Sequence, residues 1–136
     1  MQSWVGCKGS FALAVGYTSI FWPRLVEFEG YILHEGFSVE SLRGFEASYS
    51  GNRLTVEATI NHRHIADIQH LGCEDLTQDK ILLLGNVLHE IYEAKLLWQF
   101  PDRPCKVSFF APEDPADLMG YQVTFWQEAH DPRAKA

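Results

Sequence analysis

Apolar and polar positions along this chain repeat with two different periods, and the periods predict its elements. From Leu25 onward, Val26, Phe28 and Ile32 alternate with Glu27 and Glu29, which predicts a half-buried strand near 25–34 with a bulge at Gly30. The turn signal Ser50-Gly51-Asn52 precedes a second alternation. There Leu54, Val56, Ala58 and Ile60 point one way and Thr55, Glu57, Thr59 and Asn61 the other, predicting a strand over 54–62. Segments 105–110 and 121–127 are rich in aromatic and β-branched residues, as strands are. The acidic, proline-rich connection from Ala111 to Gly120 joins them as a hairpin with a long loop.

Two helix starts obey a different rule. Ser38 stands as an N-cap with Phe37 before it and Leu42 four residues after it, the staple arrangement that fixes how a chain enters a helix; Val39, Leu42 and Phe45 continue the apolar face. Thr77 stands in the same relation to Leu76 and Ile81, and an apolar-rich run then reaches Phe100 before Pro101 forbids continuation. A helix over 77–100 is about 36 Å long at 1.5 Å per residue. Along it, Leu84, Leu88, Ile91 and the stem of Lys95 form an inner side, while Asn86, His89, Glu90 and Glu93 make one polar stripe. Before Leu25 the pattern is ambiguous. The run from Phe11 to Val15 fits a helix turn or a strand, Thr18 or Ser19 offers a helix cap, and Trp22-Pro23 stops whatever precedes it.

The order is thus an unassigned N-terminal segment, then β, α, β, a long α, β and β. It predicts a single α+β domain over 1–130: a mixed or antiparallel sheet of about four strands, the 77–100 helix on one face, and a C-terminal β-hairpin. Residues 131–136 contain one proline and otherwise no apolar residue larger than alanine, and are expected to be a flexible tail.

Composition changes this picture mainly by exclusion. With 136 residues, 46% of them hydrophobic, the chain is large enough for a core without metal or disulfide staples. A net charge of −7 repels a phosphate backbone, so nucleic acid is not an expected partner. No stretch approaches the ~18 consecutive apolar residues of a membrane span, and the run 11–15 is too short for a secretory signal, so the expectation is a cytoplasmic protein with no membrane partner. Cys7, Cys73 and Cys105 are an odd number with no CxxC pair, which predicts reduced, mostly buried thiols. No phosphate loop, dinucleotide fingerprint or nucleophile elbow occurs, so neither a cofactor nor a catalytic residue is assigned.

The segment from Asn61 to His70 is the exception. If the 54–62 strand continues, His62 and His64 share the inward face of Leu54 to Ile60, and Asp67 or His70 can supply a third ligand to a metal or small molecule. Against this, Ile65, Ile68 and Leu71 recur at helical spacing with Gly72 as a stop, which places both histidines at a junction where imidazoles satisfy free backbone groups. The His-x-His spacing also occurs in cupins, metallo-β-lactamases and amidohydrolases, but the accompanying acids and histidines of the first two are absent, and the chain is too short for the third. On the long helix, His89-Glu90-Ile91-Tyr92-Glu93 has glutamate where a zinc-protease HExxH has its second histidine, so it reads as a solvated stripe.

These residues support two functional readings. The first is a small non-catalytic binding or interaction protein, immunity- or antitoxin-like, whose partner is a basic protein or a second copy. The alternative is a metal-dependent enzyme or ligand-binding domain centred on His62 and His64, with Asp67 and His70. The long helix supplies a test of the pattern itself. Leu88→Ala is expected to cost about 2–5 kcal/mol as a core truncation, and Glu90→Ala less than about 0.5 kcal/mol. Urea melts giving equal losses would mean the helix is rotated.

Overall fold

The computed structural model describes residues 2–69 and 74–135, and it resolves the ambiguous N-terminal run as helix. Helix α1 spans Gln2–Lys8 and α2 spans Phe11–Phe21, where the Ser10 hydroxyl accepts a hydrogen bond from the Leu13 amide at 3.1 Å and Trp22-Pro23 ends the helix. The strand predicted over 25–34 is a hairpin of two. Strands β1 (Leu25–Phe28) and β2 (Tyr31–His34) pair antiparallel. Glu29 (φ 49°) and Gly30 (φ 86°) form the two-residue left-handed turn between them, so Gly30 turns the chain instead of bulging it.

Helix α3 (Val39–Ser48) starts as expected, with the Ser38 hydroxyl accepting from the Ser41 amide. Ser50 (φ 52°) and Gly51 (φ 71°) then reverse the chain, but no strand begins there. Residues Arg53–Asn61 form helix α4, begun by Asn52, whose side-chain oxygen accepts from the Thr55 amide at 3.1 Å. The expected strand over 54–62 is therefore overturned. The turn signal was an N-cap, and the face that α4 buries carries Val56 together with the polar Glu57 and Asn61.

Beyond α4 lie the two-residue strand β3 (Arg63–His64), a 3₁₀ turn (Ile65–Ile68), helix α5 (Gln78–Gln99), and strands β4 (Cys105–Phe110) and β5 (Gln122–Gln127). Leu71 and Gly72, the predicted continuation of a helix, lie outside the described residues. Strands β4 and β5 form the expected hairpin, Cys105 opposite Gln127 and Phe110 opposite Gln122, and β3 flanks β5 in the order β3-β5-β4. The class is α+β, with two antiparallel sheets of two and three strands in place of one of about four.

Strand β2 is buried on both faces and joins two cores. Ile32 packs with Leu88, Tyr92, Val107, Val123 and Phe125 between α5 and the larger sheet, while Tyr31 and Leu33 pack with Leu42 and Val56 of α3 and α4. Helix α5 buries Ile81, Gly85, Leu88, Tyr92 and Leu96, leaving Leu84 and Ile91 half-buried rather than buried as expected. Gly85 sets that rotation: a Cβ there would lie 2.1 Å from the Phe109 ring, so only glycine lets β4 approach. Thr77 is the N-cap residue of α5 as expected, its carbonyl accepting from the Ile81 amide, but its side chain makes no capping bond and its hydroxyl donates to the Asp79 carboxylate instead. Near the C-terminus, Asp131 is buried and pairs with Arg133 at 3.0 Å within a 3₁₀ turn (Pro132–Lys135).

The buried polar face of α4 is fully engaged. The Glu57 carboxylate accepts from the Ile32 amide (2.9 Å), the Gln127 amide (2.6 Å), the Gln127 side chain (2.7 Å) and His130 Nδ1 (3.1 Å). One turn on, the Asn61 side chain donates to the Ile32 carbonyl (2.8 Å) and the Phe125 carbonyl (3.4 Å) and accepts from the His34 amide (3.4 Å). Glu57→Gln is expected to cost about 3 kcal/mol or more, because the new amide N–H faces donors and leaves them unpaired. Exposed Glu27→Gln serves as the control. Comparable urea midpoints for the two variants would contradict the role given to Glu57.

Candidate functional site

A cavity of about 410 Å³ opens where the C-terminal end of α4 meets β2 and β3. Its apolar wall includes Ile20, Phe37, Ile60 and Leu88, and its polar groups are His34, His62, Arg63, His64 and Asp67. Three of the four candidate residues from the sequence, His62, His64 and Asp67, thus share one cavity; His70 lies outside the described residues. They do not arrive there along an inward strand face, however. Helix α4 ends at Asn61, so His62 is its C-cap and is exposed, and only His64 is half-buried.

Local hydrogen bonds fix both imidazoles. His62 Nδ1 donates to the Thr59 carbonyl, and His64 Nδ1 donates to the Met119 carbonyl at 2.8 Å. A carbonyl only accepts, so each neutral ring carries its proton on Nδ1 and keeps a lone pair on Nε2. The ring centroids lie 5.2 Å apart with planes at 85°. Asp67 sits exposed on the 3₁₀ turn across the mouth. Among the described residues, no three His, Cys, Asp or Glu side chains converge as a metal site requires.

Two members went unnoticed in the sequence. Arg63 stands between the two histidines, but the alternation placed it on an outer face. In the fold it pairs with Val123 across β3 and β5, and its Nε is buried with no hydrogen-bond partner among the described residues. His34 ends the apolar run of β2 and packs edge-on against Phe125 (5.3 Å) and Tyr92 (6.1 Å), with both ring nitrogens buried and unpartnered. Burial first, and then the positive charge of Arg63, push its pKa down to about 4. The one visible signal was a histidine closing an otherwise apolar strand. A second cavity of about 280 Å³, bounded by α2 and Arg24, shares His34, Gly36 and Arg63 with the first, so these residues form a common wall.

The remaining candidates are accounted for elsewhere. His89 is half-buried, its Nε2 donating to the Val107 carbonyl at 3.1 Å and standing 3.6 Å from Glu93, while Asn86, Glu90 and Glu93 are exposed. Cys7 is exposed, contrary to the expectation of mostly buried thiols; Cys105 is half-buried, and burial pushes its thiol up to about 12. Cys73 lies outside the described residues. Searches of protein-family models, curated proteins and solved structures find no match to this chain.

The state of His34 makes stability depend on pH. Its folded pKa lies below the ordinary 6.5, so the unfolded chain takes up the proton first. Its contribution is complete above pH 6.5, declines as the pH falls towards 4 and is level below that, a loss of about 3 kcal/mol at most. Subtracting the pH–stability curve of His34→Leu from that of the parent chain should isolate this slope. Superimposable curves would show that His34 protonates freely in the folded state.

Proposed function

We propose that this chain is a small ligand-binding domain, non-catalytic, which takes an anionic small molecule bearing hydrogen-bond donors into the cavity beside His62 and His64. The observation that carries the reading is Arg63, a permanently charged side chain on the cavity wall with no hydrogen-bond or ion-pair partner among the described residues. An unpaired guanidinium in a partly desolvated wall favours an anion, and its planar fork matches a carboxylate or phosphate. The Nε2 lone pairs of His62 and His64 and the Asp67 carboxylate are acceptors, so they select N–H or O–H groups on the rest of the ligand. A volume of about 410 Å³ falls within the ~300–1,000 Å³ of small-molecule sites. The positive charge beside the histidines disfavours a divalent cation, which is why an anion is preferred to the metal reading.

Thermal melts with millimolar inorganic phosphate and with α-amino and α-hydroxy acids test this. A saturable rise in Tm is expected with members carrying both an anionic group and donors, absent in Arg63→Gln and reduced in His64→Ala. Invariance of Tm across the panel, or an equal rise in Arg63→Gln, would refute the reading. Stoichiometric metal in the purified protein, lost on His62→Ala and His64→Ala, would establish the metal alternative in its place.

A further inference from the structure

The N-terminal helices differ from the rest of the molecule in charge and in exposure. Residues 1–26 contain Lys8 and Arg24 and no acidic residue, so all 18 Asp and Glu lie in the remainder of the chain. Helix α2 is anchored at its C-terminal end, where the Tyr92 hydroxyl donates to the Ile20 carbonyl at 2.7 Å and Lys95 Nζ lies 4.8 Å from the Trp22 ring and 5.1 Å from that of Trp98. Towards its start nothing among the described residues covers it. Phe11 is 92% exposed, Val15 69% and Leu13 56%, and Trp4 of α1 is 62% exposed. At 100° per residue, Phe11 and Val15 point to one side and Leu13 to the other, so the apolar surface wraps the helix instead of forming the single stripe that a helix-packing partner covers.

The serine and threonine hydroxyls of this helix and its cap are bonded to its own backbone, whereas the Tyr17 hydroxyl has no partner among the described residues. The Thr18 hydroxyl donates to the Val15 carbonyl at 2.7 Å, the Ser19 hydroxyl to the Gly16 carbonyl at 2.8 Å, and the Ser10 hydroxyl accepts from the Leu13 amide. Hydroxyls bonded back to the helix lower its cost of entering an apolar medium, and tyrosine is a residue type that keeps its hydroxyl at the membrane–water interface. Tryptophans stand at both ends of the segment, with Lys8 and Arg24 flanking α2, the residue types that settle at a bilayer's headgroup level.

We infer that α1 and the free half of α2 form a membrane-surface anchor, inserting Phe11, Leu13 and Val15 into the outer part of a lipid leaflet while Lys8 and Arg24 meet anionic headgroups. Eleven residues give α2 a length of about 16 Å, against ~30 Å for a bilayer core, so the helix dips into the surface and does not span. No helix of the described residues is long and apolar enough to cross a membrane. Span length alone led to the expectation of no membrane partner, but surface attachment requires no span. A second copy is the competing occupant; the apolar surface that wraps the helix favours lipid, because a packing copy covers a single stripe.

Sedimentation of the full chain with sucrose-loaded vesicles tests the anchor. Binding is expected to phosphatidylcholine vesicles containing 30% phosphatidylglycerol and, more weakly, to phosphatidylcholine alone. Phe11→Asp/Val15→Asp should lower the partition coefficient by about tenfold or more with an unchanged Tm, since both residues are exposed. Leu97→Asp, at an exposed apolar position on α5, should bind like the parent. Failure to sediment with either vesicle, or equal binding by the double variant, would overturn the proposal. A dimer in analytical ultracentrifugation that the double variant dissociates, without vesicle binding, would assign the surface to a second copy.

Discussion

Four donors converge on the carboxylate of Glu57, and the edges of two separate sheets are satisfied through it. Strand β5 pairs with β4 along its whole length, but β3 covers its other edge only at Gln122 and Val123. The facing edge of β2 is likewise open, since β1 pairs with the opposite side. Left bare in the interior, these backbone groups would each cost about 1–3 kcal/mol. Helix α4 lies between them and supplies the missing partners from its side chains. Glu57 accepts from the amides of Ile32 on one strand and Gln127 on the other, and Asn61 donates to the carbonyls of Ile32 and Phe125. Two residues one helical turn apart thus stand in for a strand. The buried carboxylate is further held by His130, whose Nε2 accepts from Arg53 Nε at 3.3 Å, which places the ring proton on Nδ1 facing Glu57.

The cavity is a consequence of this joint. Asn61 is the last residue of α4, so the chain leaves the helix at the point where it is bonded to β2, and His62, Arg63 and His64 emerge beside His34. Arg63 and His64 are then pinned by pairing with β5, and His34 by the Asn61 oxygen on its backbone amide. The side chains so delivered are poorly satisfied: two imidazole nitrogens and a guanidinium nitrogen are buried without partners among the described residues. Among the described residues, His34 and Arg63 contribute three of the five buried side-chain polar atoms without a partner, the others being Gln99 Oε1 and Trp126 Nε1. Such local departures from satisfaction are where binding sites are found.

The N-terminal helices illustrate the opposite imbalance, apolar surface without cover. They are tied to α5 by aromatic and cation–π contacts at Trp22, Lys95 and Trp98, and Thr18, Ser19 and Trp22 border the second cavity with His34 and Arg63. A surface that holds α2 therefore lies against one wall of the candidate site.

Local sequence by itself determined the elements whose signals are local. Ser38 with its Phe37–Leu42 staple fixed α3, Pro101 ended the long helix, and aromatic and β-branched runs marked β4 and β5, because caps, proline and strand preference act over a few residues. The cluster His62, His64 and Asp67 was also legible, its members being close in the chain. Tertiary structure alone decided the rest. The residues Thr55, Glu57, Thr59 and Asn61 look like the wet side of a strand, and no local pattern reveals that Glu57 and Asn61 are buried against two sheet edges drawn from residues 32–34 and 125–127. That long-range need for donors and acceptors makes 53–61 a helix with a polar inner face, and by ending it at Asn61 it brings His34 and Arg63 into the site. Alternation records which side chains are polar, whereas burial depends on which backbone groups elsewhere in the chain remain to be satisfied.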